Sequence, residues 1–253
     1  MSGPALFTIL TAVWTGAAVA TFVGLFFVTA PYGRHARRDW GPVLGDTLGW
    51  VLMEAPAPVI FAAFFAVGGH GFALIPVVFF CLWEAHYVHR SFIYPFTLRG
   101  REKRMSLAVA LTGFFFNGVN ATLNGWYLFG LAAPRPAGWL ADQRFICGLA
   151  LFVGGYVINR WSDTILRLLR RPGESVYRIP YSGLFRFVSS PNYLGEIMEW
   201  TGWALLTWSF AGASFAAWTI ANLVPRARAN HAWYRRTFPD YPAKRRALLP
   251  FVW

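Results

Sequence analysis

Carboxylates, amides and a phenol set inside long apolar runs are the residues on which any chemistry of this chain has to rest. Asn192, Glu196 and Glu199 follow Pro191 at the head of one such run, with spacings of four and three. In a helix they line one face over about its first two turns. Glu54 stands beside Pro56 and Pro58 in a second run, and Trp83, Glu84, His86, Tyr87, His89 and Arg90 crowd the later half of a third. Asn117, Asn120 and Asn124 recur at helical spacing, so that helix carries three amides on one stripe that lipid cannot satisfy. Asn159, Asp163, Arg167 and Arg170 fall within about 80° of one another on a further helix. A charged side chain at mid-membrane costs about 2.5–3.5 kcal/mol on insertion scales, so such groups either face a polar interior or sit at headgroup level.

The elements that must position these groups are membrane helices. With 56% hydrophobic and only 13% charged residues, and a mean hydropathy of +0.41, the 253-residue chain has too few charges for an ordinary soluble surface. Its net charge of +12 sits in short clusters between apolar runs, the pattern of cytoplasmic loops, which argues against nucleic acid as a partner. Cys81 and Cys147 both fall in apolar segments and are expected as core cysteines, with no disulfide framework and no metal site. Lys103 and Lys244 are the only lysines among many arginines, a bias that with abundant Ala and Gly suggests a GC-rich bacterial genome and a bacterial inner membrane.

Apolar runs lie at about Ala5–Ala30, Thr47–Val67, Phe72–Pro95 and Met105–Leu131, from Phe145, after Pro191, and at about Ala213–Leu223. The second is expected to kink at its prolines, beside Glu54. Placing every basic loop on one side predicts an all-α integral membrane protein with seven transmembrane helices, N-terminus outside and C-terminus cytoplasmic. It reads as one domain over 1–253 and as a monomer, with cofactor loops and tail mainly in 97–104, 159–199 and 226–253.

On this topology the polar groups converge on one cavity open to the cytosol. Glu54 and Tyr87, with Glu84 and Asn117, form a deep set. Arg101, Asn159, Asp163, Arg167, Arg170, Tyr177, Arg178, Asn192, Glu196, Glu199, Arg226, His231 and Tyr234 form a shallower rim. A deep acid–phenol pair beneath arginines suits a lipophilic substrate below a polyanionic cofactor, because guanidinium forks bind phosphate oxygens in pairs. There is no G-x-G-x-x-G fingerprint or Walker sequence, and His86-x-x-His89 lacks the further histidines of a di-iron site. A seven-span transporter is the non-enzyme alternative, but no internal repeat or pair of interrupted helices marks a mid-bilayer pathway.

The runs from His86 to Tyr94, Arg99-Gly-Arg101, Asn159 to Pro180, Gly183-Leu-Phe, Asn192 to Trp200 and Phe238 to Phe251 resemble the steroid 5α-reductases. The second half is shared more loosely with trans-2-enoyl-CoA and polyprenol reductases, which remain the alternative enzymes. The resemblance implies NADPH-dependent reduction of the Δ4 double bond of a 3-oxo-steroid that enters from the bilayer. It implies that Glu54 and Tyr87 hold the C3 carbonyl, with Trp83 and Asn117 beside the substrate. NADPH would be held by Arg101, Asn159, Asp163, Arg167, Arg170, Tyr177, Arg178, Asn192, Glu196, Arg226, His231 and Tyr234. Met53 stands where animal members usually carry Gln.

Overall fold

The computed structural model describes residues 2–29, 41–69, 72–98, 104–169, 174 and 176–253. Long helices carry the chain: α1 (Gly3–Phe27), α2 (Asp46–Glu54), α3 (Pro56–Val67), α4 (Leu74–Phe92), the short α5 (Tyr94–Thr97), α6 (Leu107–Trp126), α7 (Gln143–Leu168), α8 (Pro191–Thr207) and α9 (Phe210–Thr237). Two short strands, β1 (Val43–Gly45) and β2 (Arg104–Ser106), pair antiparallel with Leu44 opposite Met105. This clasp ties the starts of α2 and α6 together, and the Leu107 amide adds a bond to the Pro42 carbonyl at 2.8 Å. Glu54 and Asn117 then lie roughly 13–17 Å further along their helices at 1.5 Å per residue, which brings them to a common depth.

The expected kink is a break between α2 and α3 at Ala55. Pro56 and Pro58 have no amide hydrogen, so the carbonyls of Leu52 and Glu54 lose their helical donors. Side chains from other helices bond to the carbonyls alongside: Asn117 Nδ2 donates to Met53 at 2.8 Å and the Trp83 indole to Ala57 at 3.2 Å. The amide stripe of α6 works the same way on every turn. Asn120 Oδ1 accepts from the Trp14 indole of α1 at 3.1 Å, and Asn124 Oδ1 from the Trp203 indole of α8 at 2.9 Å. All three amides are buried, so the stripe ties α6 to α1, α2 and α8.

The most extensive packing is between α7 and α8. Gly148 and Gly155 on α7 meet Gly202 and Gly195 on α8, and no Cβ fits at any of the four. One built on Gly155 would lie 2.3 Å from the Glu199 amide nitrogen and 2.4 Å from the Gly195 carbonyl oxygen. Backbone-to-backbone contact of this kind is what small residues permit in membrane helices. The core of the bundle is aromatic, with Phe61 from α3, Trp83 from α4, Trp200 and Trp203 from α8 and Phe215 from α9, and Trp83 stacks on Phe61 at 4.5 Å.

The expectation of seven transmembrane helices is corrected. Among the described residues three helical segments are long and apolar enough to cross a membrane by length and composition: Gly3–Phe27, Asp46–Val67 and Gln143–Leu168. The reason is chemical. The polar residues that build the interior lower the apolarity of α4, with Glu84, His86, His89 and Arg90, and of α6 with its asparagines; α8 has 17 residues and two glutamates. The last helix runs through Pro225 to Thr237, well past the expected end near Leu223, and its second half is basic. The N-terminus-outside, C-terminus-cytoplasmic orientation rests on the basic loops between those seven runs, and the three spans do not confirm it. Cys81 and Cys147 are free and exposed on the outside of the bundle rather than in its core.

After α9 the chain returns to the loop before α8. Val188 and Arg246 form a parallel bridge, and the Ser189 amide donates to the Arg246 carbonyl at 2.8 Å. The tail therefore clasps the start of α8, where the candidate site lies.

Candidate active site

Tyr87 on α4 is buried, with Trp83 and Trp200 against its ring at 4.9 and 5.5 Å. Its hydroxyl has Asn117 Oδ1 at 3.5 Å, the outer limit of a hydrogen bond. Asn117 Nδ2 donates in turn to Glu54 Oε2 at 3.1 Å. Glu54 Oε1 faces Arg90 Nε at 3.4 Å, and the same guanidinium reaches Asp163 Oδ2 on α7 at 3.6 Å. Asp163 Oδ1 accepts from Asn192 Nδ2 at 3.0 Å, while Asn159 Nδ2 donates to the Asn192 carbonyl at 3.0 Å and lies 3.4 Å from Glu196. One polar chain thus links Tyr87, Asn117, Glu54, Arg90, Asp163 and Asn192 across five helices.

Of the expected deep set, Glu54, Tyr87 and Asn117 are brought together, with Trp83 beside them and fully buried, whereas Glu84 is not joined to them and its buried Oε1 meets no hydrogen-bond partner. Of the expected rim, Asn159, Asp163, Asn192 and Glu196 meet where α7 and α8 converge. Arg226 and His231 lie beside the start of α8. Arg226 lies over the Tyr193 ring at 5.7 Å, and Tyr234 stacks on Tyr241 at 5.1 Å. Tyr177 packs edge-on to Trp233 at 5.1 Å. Arg178 is turned to the surface, bonded to Glu174 at 2.9 Å and to the Leu169 carbonyl at 2.8 Å. Arg167 occupies the last turn of α7. Arg101 and Arg170 lie outside the described residues.

Three features were not anticipated. Arg90 is the hub that joins Glu54 to Asp163, and it lies over the rings of Trp50 and Tyr94 at 4.8 and 5.1 Å. His86 Nδ1 pairs with Glu199 Oε1 at 2.7 Å, both buried, which ties α4 to α8 directly below Tyr87. Arg245 is buried in the tail against Tyr241 at 4.8 Å, and its Nε and Nη1 meet no acceptor. The sequence displays the residues but not their pairings: Arg90, His86 and Glu199 stand among its polar groups, and Arg245 in a basic run before the closing Leu-Leu-Pro-Phe.

His231 holds the tail through Ser189. Its Nδ1 lies 2.6 Å from Ser189 Oγ, which also contacts Tyr241 Oη at 2.7 Å and the Arg246 carbonyl at 3.1 Å. Every group is satisfied if His231 and Tyr241 donate to Ser189 and Ser189 donates to Arg246. Burial, then repulsion from Arg235, Arg245 and Arg246, holds the His231 pKa below its ordinary value. The unfolded chain therefore takes up a proton where the folded one does not. The contribution is fully present above about pH 6.5 and is lost as pH falls through the lowered folded pKa. On acidification from about pH 7.5 to 5.5 the melting temperature of the parent is expected to fall further than that of His231→Gln; equal falls would contradict this.

A family model described as 3-oxo-5-alpha-steroid 4-dehydrogenase matches residues 103–253. The steroid 5-alpha-reductase DET2 of Solanum lycopersicum is 40% identical over 240 residues, covering 93% of both chains. That of Arabidopsis thaliana is 36% identical over 253 residues, covering 98% of this chain and 96% of its own. The 3-oxo-5-alpha-steroid 4-dehydrogenase 2 of Mus musculus is 39% identical over 246 residues, covering 94% of each. These relatives are plant and mammalian, so the arginine bias gains no support from them as a sign of a bacterial inner membrane. With three apolar helices the protein is membrane-associated and multi-pass. Likeness of this extent, running through the helices that carry Glu54 and Tyr87 as well as the tail, places the chain in the 3-oxo-5-alpha-steroid 4-dehydrogenase family, as an NADPH-dependent oxidoreductase acting on a CH–CH bond.

Proposed function

We propose that the chain reduces the Δ4 double bond of a 3-oxo-steroid to the 5α-3-oxo product, with Tyr87 activating the carbonyl. The observation that carries this reading is the buried Tyr87–Asn117–Glu54 arrangement inside an aromatic wall. A conjugated enone that gains a hydride at its β-carbon gathers negative charge on the carbonyl oxygen, and a donor placed there lowers the barrier. Tyr87 is that donor. Its contact with Asn117 is long, so the phenol is released to a carbonyl at little cost. Glu54 accepts from Arg90 on one oxygen and Asn117 on the other, which assigns it to orienting the donor. The closing proton goes to the α-carbon, so the overall step adds one hydride and one proton across the bond.

Bound NADPH supplies the hydride, and the residues present suit it. Arg245 offers buried, unpartnered N–H groups to a phosphate, with Arg226 near the same helix start. Asn159, Asp163, Asn192 and Glu196 offer amides and carboxylates fitted to ribose hydroxyls and a carboxamide. His231, Tyr234, Tyr177, Arg167 and Arg178 flank that region. The substrate is lipophilic and arrives from the bilayer, whose apolar boundary the exposed side chains of α1 provide. Purified protein given NADPH and either a Δ4-3-oxo-steroid or a trans-2-enoyl thioester is expected to oxidise the cofactor with the steroid. Oxidation only with the thioester would replace the substrate assignment.

A further inference from the structure

Among the described residues Arg90 is the one cation paired with carboxylates on both halves of the proposed site. Its Nε faces Glu54 at 3.4 Å and its Nη1 faces Asp163 at 3.6 Å. Close guanidinium–carboxylate bonds measure about 2.7–2.9 Å, so neither contact is closed. The two carboxylates come from α2 and α7 and pull on different edges of one planar group. The rings of Trp50 and Tyr94 lie 4.8 and 5.1 Å from its central carbon, an attraction to ring faces that does not fix which carboxylate its edges meet. Arg90 is thus divided between two partners and cannot serve both well.

We propose that Arg90 is a positioning residue that couples cofactor binding to carbonyl binding. This rests on the assignment of Asp163 to the cofactor and of Tyr87 to the carbonyl. A ligand hydroxyl or amide donating to Asp163 weakens that carboxylate's hold on Arg90, and the guanidinium closes on Glu54. Glu54 then holds Asn117 Nδ2 more firmly, and the Asn117 oxygen keeps the Tyr87 hydroxyl aimed into the site. Each ligand therefore strengthens the other, and by linkage the two factors are equal.

The test uses the full-length protein with NADP⁺, which cannot deliver a hydride, and a Δ4-3-oxo-steroid. Steroid affinity is measured with and without saturating NADP⁺, and NADP⁺ affinity with and without steroid. The parent is expected to show a ratio of about fivefold or more, the low end of ordinary coupling. In Arg90→Met the ratio falls to within about twofold of unity while each ligand still binds alone; Arg90→Lys, which lacks the fork, keeps part of it. Asp163→Asn and Glu54→Gln, which leave Arg90 in place, also lose the ratio, and they decide the matter if Arg90→Met does not fold. A purely structural Arg90 would shift melting temperature and leave the ratio intact, which overturns the proposal. A ratio of one in the parent also overturns it while leaving the functional reading in place. If the parent binds neither probe, the functional reading fails and the coupling with it.

Discussion

Tyr87→Phe is expected to lower turnover by about 100- to 1,000-fold, with cofactor affinity close to that of the parent. The loss corresponds to about 2.7–4 kcal/mol, the usual effect of removing one donor to a developing oxyanion. The substitution removes only the hydroxyl, and the ring keeps its contacts with Trp83 and Trp200. Its one other hydrogen bond is the long one to Asn117, so folding is little affected. Single-turnover rates and cofactor titrations on both proteins check this. Normal turnover in the variant would remove Tyr87 from the carbonyl and send the search for the donor to Glu54.

The second large effect is structural. Gly155→Val is expected to cost at least the upper end of the about 1–3 kcal/mol typical of overpacking, because its Cβ meets backbone atoms of α8 that no rotamer change can clear. The helices must part, and with them go the Asn159–Asn192 bond and the placement of Glu199 against His86. Cofactor affinity should therefore fall together with melting temperature. The neighbouring Gly154 is the control, since a Cβ there meets nothing within 4 Å. Gly154→Ala should be neutral or slightly stabilising, as replacing a helical glycine gains about 0.5–1 kcal/mol. Similar losses in Gly154→Ala and Gly155→Val would show that the seam does not hold the site.

What could be read from the sequence was whatever a single helix displays. Pro56 and Pro58 announced the break beside Glu54, and the spacing of Asn117, Asn120 and Asn124 announced an inward stripe. The Asn192–Glu196 spacing placed both groups on one face toward α7. Features made by two helices together were hidden. Arg90 stood only as one of several polar residues in the later half of its run, and only the fold shows Glu54 and Asp163 on either side of it. Nothing in His86 or Glu199 alone names the other as its partner, 113 positions apart. The glycines at 148, 155, 195 and 202 carry a seven-residue spacing on both helices, but glycine is common in membrane segments and the seam appears only when the two are paired. The span count failed for a related reason: every apolar run was counted as a span, although the interior polar residues of α4 and α6 and the shortness of α8 leave those helices below what a crossing needs.

The central claim is a hydride placed on the β-carbon of the enone with Tyr87 at the carbonyl. Its most direct test is a label. Purified protein is given NADPH carrying deuterium at the transferable position of nicotinamide C4 and a Δ4-3-oxo-steroid, and the product is analysed by mass spectrometry and NMR. The account predicts one deuterium at C5 on the α face, a proton from solvent at C4 and an intact C3 ketone, with the same pattern formed far more slowly by Tyr87→Phe. Deuterium at C3, from reduction of the carbonyl itself, would contradict it.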